Sequence, residues 1–113
     1  KEHYLRMGKN TALALSNAAK EIEAALENNK VQGASKLVGE VTERMQFNIA
    51  SDQNITKRLS NGELRFSGLN EGLILNKTTK KMNLLKKVER IKLPDNKIQL
   101  FSIIDQYNKL LQE

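Results

Sequence analysis

An all-α fold, with a long antiparallel helical hairpin followed by two further helices, is what this 113-residue sequence predicts. Three observations carry that expectation. Apolar residues recur at alternating steps of three and four along most of the chain, the signature of helix faces. Aromatic residues make up only 4% of a chain that is 39% hydrophobic, so the core must come from Leu, Ile, Val and Ala, which suits helix-on-helix packing. The pattern breaks at Asn28-Asn29-Lys30, at Asn61-Gly62 and at Leu93-Pro94, which divides the chain into four helical lengths.

The first length carries a heptad seam: Leu5, Gly8, Ala12, Leu15, Ala19, Ile22 and Leu26. Gly8 weakens its first turns, so Asn10 or Thr11 is the expected N-cap. The seam stops at Asn28-Asn29-Lys30 with Gly33 just beyond, where a helix end and a tight reversal belong.

A second seam follows at once through Ala34, Val38, Val41, Met45, Asn48, Asp52, Ile55 and Leu59. Two seams of similar length on a short link read as an antiparallel hairpin over residues 1–60, with the small Ala12 and Ala19 allowing close approach. Asn48 and Asp52 interrupt the stripe. Two readings stay open: buried polar residues that fix register, or a seam that rotates and leaves both in water.

Residues 61–113 supply a connector, a basic helix and an amphipathic helix within the same domain. Residues 60–68 read as connector with a few extended residues, although Ser60 and Glu63 also fit a capping box. The third helix is expected from residue 69 to about 92. Leu84, Leu85, Val88 and Ile91 line one side of it, and Lys77, Lys80 and Lys81 fall on that same side upstream. Unpaired ammonium groups do not sit in cores, so the helix is expected either to break near Thr78-Thr79 or to project its basic end out of the core. Pro94 ends this helix and Asp95 is the expected cap of the last, roughly 96–112. Its face is Leu100, Ile103, Ile104, Tyr107 and Leu111, widened by Phe101, which suggests contact with two helices or with another subunit. Leu100, Phe101, Ile104, Tyr107 and Leu111 are therefore the candidate oligomer or partner interface.

Charge is the main functional signal. Residues 1–76 hold ten Lys or Arg against nine Asp or Glu, whereas residues 77–113 hold nine against four, so most of the net +6 lies in the second part. The surplus concentrates in Lys77, Lys80, Lys81, Lys86, Lys87, Arg90 and Lys92, opposed by Glu89. A clustered surplus attracts polyanions; the competing account is a solvated lysine-rich face. Lysines in place of arginines suggest point-charge contact with phosphates, without base reading.

Enzymatic chemistry finds little support. His3 is the one histidine and has no catalytic or ligating partner marked in the sequence. Glu40 with Glu43, and Glu23 with Glu27, lack the Glu-x-x-His repeats of helical carboxylate metal sites. Gly8-Lys9-Asn10-Thr11 lacks the earlier glycine and the hydroxyl residue of a phosphate-binding loop. The absence of cysteine removes disulfides and thiolate sites and favours the cytoplasm. The expectation is a non-enzyme without metal or cofactor.

A helical hairpin, then Leu59-x-Asn61-Gly62-Glu63-Leu64, then a Leu-rich basic helix is a pattern that resembles the core of small terminase subunits of tailed phages, over residues 34–92. That resemblance implies a ring-forming, non-enzymatic protein that recognises viral DNA and regulates a packaging motor. The usual N-terminal helix-turn-helix of that family is missing here. Two functions are carried forward: a nucleic-acid-associated homo-oligomer, and a protein-interaction module such as an adaptor, assembly subunit or secretion-type chaperone. An anionic membrane surface ranks last as a partner, since Trp anchors are lacking.

Overall fold

A computed structural model describes residues 2–62 and 68–112, which form four helices and, among the described residues, no strand. They are α1 (Glu2–Glu27), α2 (Val31–Ser60), α3 (Gly68–Glu89) and α4 (Lys97–Gln112). The side chains of His3, Leu5, Leu59 and Ser60, and the connector from Glu63 onward with Leu64 and Phe66, lie outside the described residues.

Helix α1 starts at Glu2 rather than at the expected Asn10 or Thr11 cap, and it runs through Gly8. A glycine inside a helix costs up to about 1 kcal/mol relative to alanine, which a packed helix can absorb. At Gly8 the chain passes α4 closely, since a Cβ there would lie 3.6 Å from the Leu111 carbonyl oxygen. Thr11, expected as a possible cap, is buried.

The reversal after α1 falls at Asn28-Asn29-Lys30, as expected, and is made by an asparagine. Asn29 takes φ 59°, the left-handed conformation that asparagine tolerates better than most residues. The Lys30 N–H donates to the Ala25 carbonyl at 2.8 Å and the Asn29 N–H to Leu26 at 3.1 Å, which together close a Schellman turn. Gly33 therefore falls inside α2. At the far end of α2, Gly62 with φ 77° follows Asn61, whose N–H still bonds the Lys57 carbonyl. The third break differs by a residue. Asn96, not Asp95, occupies the N-cap of α4, since its carbonyl accepts from the Leu100 N–H at 2.9 Å.

Each helix packs on two neighbours: α1 on α2 and α4, and α3 on α2 and α4. Residues 28–30 are too few to let α2 run anything but antiparallel to α1. Asn108 meets Ser16, while Leu111 lies beside Gly8, so α4 also runs antiparallel to α1. The result is an up-down-up-down bundle measuring 51 × 24 × 18 Å.

The seams account for most of the interior. Leu15 and Ile22 from α1 meet Ala34, Val41, Met45 and Ile49 from α2, with Leu84 and Val88 from α3. Helix α4 adds Leu100, Ile103, Ile104, Tyr107 and Leu110. This corrects the proposed partner surface: Leu100, Ile104 and Tyr107 are 0%, 3% and 0% exposed, and Phe101 and Leu111 pack half-buried against the same core. The stripe on α4 is wide because it faces two adjacent helices and Tyr107 reaches across the bundle to α2. None of its width is left over for another chain at those three positions.

Burial separates neighbours sharply, which gives a direct check. Met45 is 0% exposed, and Phe47, two residues later, is 66% exposed. Met45→Ala should cost about 2–5 kcal/mol of unfolding free energy. Phe47→Ala should stay within about 0.5 kcal/mol. Urea titration followed by circular dichroism measures both; equal losses would contradict this packing.

Candidate nucleic-acid interface and the buried ion pair

Helix α3 passes through Thr78-Thr79 without a break. Both hydroxyls donate back to their own helix, Thr78 to the Ile74 carbonyl at 2.8 Å and Thr79 to Leu75 at 3.1 Å. Such i−4 bonds satisfy a threonine hydroxyl where no water reaches it, and Thr78 is only 8% exposed. The basic end of α3 thus neither breaks away nor projects as a whole. It enters the bundle.

What allows this is a partner from α2. The Lys81 Nζ donates to Asp52 Oδ2 at 2.6 Å, and the two side chains are 3% and 2% exposed. Lys81 Nζ also lies 5.7 Å from the centre of the Tyr107 ring, within cation–π range. The Tyr107 hydroxyl in turn donates to Asn48 Oδ1 at 2.7 Å and stands 3.3 Å from the Met45 carbonyl oxygen. Asn48 and Asp52, one turn apart on α2, are therefore both buried, which decides between the two readings of the interrupted seam. Among the positions expected to contact phosphate, Lys81 is the correction: it is 2% exposed and neutralised within the molecule.

The other six basic positions divide by exposure. Lys77 is half-buried and already has an interaction of its own. Lys80, Lys86, Lys87, Arg90 and Lys92 are exposed, and none is ion-paired among the described residues. With Lys81 inward, a turn of 3.6 residues carries Lys80 and Lys87 to one flank of α3 and Lys86 to its outer side, while Arg90 and Lys92 follow the helix end at Glu89. Lys86 and Lys87 occupy the last turn of α3, where cations also favour the helix dipole by about 0.3–1 kcal/mol. That effect does not reach Lys80, two turns earlier.

Between α3 and α4 runs an open groove of about 320 Å³, lined by Lys80, Asn83, Leu84, Gln106 and Leu110. Sequence reasoning missed it, because Asn83 and Gln106 carry no pattern that joins them. Among the described residues no cluster of His, Cys, Asp or Glu is placed to hold a metal ion, and no helix is long and apolar enough to cross a membrane. No family model, curated protein or solved structure matches this chain.

The ion pair has a measurable signature. Lys81→Met and Asp52→Leu, made singly, should each cost about 3–5 kcal/mol, since each strands a buried charge. The double variant should recover most of that loss, because packed apolar groups of similar volume replace a buried pair at little net cost. Lys86→Met should leave the urea midpoint nearly unchanged. Additive losses in the double variant would show that the two charges do not depend on one another.

Proposed function

We propose that this chain is a non-enzymatic helical subunit that associates with nucleic acid through phosphate contacts made by α3 and the segment that follows its C-terminal end. The observation that carries the proposal is the exposed set Lys80, Lys86, Lys87, Arg90 and Lys92, which lies within 13 residues and is met by no carboxylate among the described residues. Ammonium groups on a convex helix face release counterions from a phosphate backbone without reading bases, so binding is electrostatic and salt-sensitive. Few contacts per chain mean that self-association into a homo-oligomer multiplies the attraction. The sequence pattern over residues 34–92 resembles that of small terminase subunits of tailed phages, and this supports a setting in phage or mobile-element DNA handling, inside the cell.

A second reading has its own observation. Leu73 and Leu75 on α3 are 51% and 52% exposed, and Phe47 on α2 is 66% exposed. If the chain serves another protein, these side chains replace the α4 stripe as the contact surface, because Leu100, Ile104 and Tyr107 are consumed by the core.

Fluorescence anisotropy with a short duplex at several salt concentrations tests the first reading. Five cations limit the slope of log affinity against log salt to about −4.5 per chain on B-DNA. Changing Lys80, Lys86, Lys87 and Arg90 together to Glu should abolish binding. The Asp52→Leu/Lys81→Met double variant, folded, should bind as the parent does. No binding by the parent at low salt would overturn the reading.

A further inference from the structure

We propose that the α3–α4 groove is a phosphodiester subsite for an unpaired nucleic-acid strand. This rests on the nucleic-acid reading above and names the form of the ligand. The groove is built of donors over an apolar floor. Lys80 supplies an ammonium, and Asn83 and Gln106 supply carboxamide N–H groups, all three on exposed side chains. Leu84 and Leu110 form the floor at 6% and 8% exposure. No carboxylate lines it.

Several features favour a single strand over a duplex. An ammonium with two amide donors matches the oxygens of one phosphate, and amide donors to a charged acceptor bind more strongly than to a neutral one. Gln106 is held by its own helix: Nε2 donates to Ser102 Oγ at 3.2 Å, which leaves its second N–H for a ligand. The Leu84–Leu110 floor gives sugar or base a dry surface, which a flexible strand can reach. A duplex presents its phosphates outward on a rigid cylinder and meets a convex face more easily than a groove. Lys87 stands on the same flank two turns beyond Lys80, about 10.5 Å along the helix, so a strand lying in the groove meets a second cation.

The test keeps every charge in place. Asn83→Leu/Gln106→Leu removes the amide donors and leaves the five exposed cations untouched. Both positions are exposed, so the double variant should retain the parent's stability, which thermal unfolding checks. Anisotropy is then measured for a 12-nucleotide oligothymidine and for a 12-base-pair duplex. The double variant should lose about tenfold or more in affinity for the single strand, keep the parent's salt slope, and change less than twofold on the duplex. Single-strand affinity equal to the parent's, or an equal loss on both probes, overturns the groove and leaves the nucleic-acid reading standing. A parent that binds neither probe overturns both.

Discussion

A charged ammonium cannot remain alone in a dry interior, and this constraint organises the second half of the molecule. Burial without a partner costs several kcal/mol at least, so position 81 of α3 and position 52 of α2 are fixed to one another in height and in rotation. Each residue of helix rotation is about 100°. Turning α3 by one residue would draw Lys80 or Met82 inward and carry Lys81 away from Asp52. The pair therefore decides which of the neighbouring lysines meet solvent. On α3, Lys80, Lys86 and Lys87 face outward because Lys81 faces inward.

The apolar side of α3 gives a weaker instruction by itself. Its buried positions among the described residues are Thr78, Lys81, Leu84 and Val88, so two of these four are not hydrocarbon. Helix α1, by contrast, buries Leu15 and Ile22 at 1% and 0% exposure, and α2 buries Val41 and Met45 at 1% and 0%. Hydrophobic burial is non-directional and tolerates small rotations; a 2.6 Å hydrogen-bonded ion pair does not. Such a pair adds positional specificity more than net stability, since apolar replacements are often as stable. Tyr107 extends the constraint to α4: its ring lies against the ammonium and its hydroxyl is spent on Asn48. One cluster thus reads the positions of three helices at once.

The hairpin was legible in the sequence for a simple reason. Its seams repeat over many turns, and every seam position with a described side chain lies buried or half-buried. The local stop signals were legible to within about three residues: the reversal fell at Asn28-Asn29-Lys30 as expected, with Asn29 in the left-handed region, whereas α3 ended at Glu89 and not near residue 92. The α4 stripe was found, but its use was not: a periodicity shows that a face is apolar without saying whose side chains cover it. The ion pair was written in the sequence as two unexplained facts. An acid broke the apolar stripe of α2, and a base of opposite sign broke that of α3. Asp52 left burial and exposure both open, and Lys81 read as part of an end that leaves the core; matched, they cancel. The groove between α3 and α4 had no such signal, because two amides on separate helices acquire meaning only through tertiary placement.

Burying Lys81 also changes what the basic surface can do. Each phosphate neutralised contributes a fixed release of counterions, so affinity grows with the number of exposed cations and not with the formal charge of the chain. Lys81 and Asp52 cancel in the interior, which leaves the net charge unaltered but lowers the count of cations available to a polyanion. Five exposed cations, three on α3 and two just beyond its end, make a modest ligand for nucleic acid, and the four lysines among them add no bidentate geometry to compensate. Tight association must then draw on something besides charge: a shaped subsite such as the α3–α4 groove, or several copies of the face held together. Linked copies convert later contacts into intramolecular ones, with gains of about 10²–10⁴ and no new chemistry. On the proposed reading, a face this sparse is suited to acting in company with further copies.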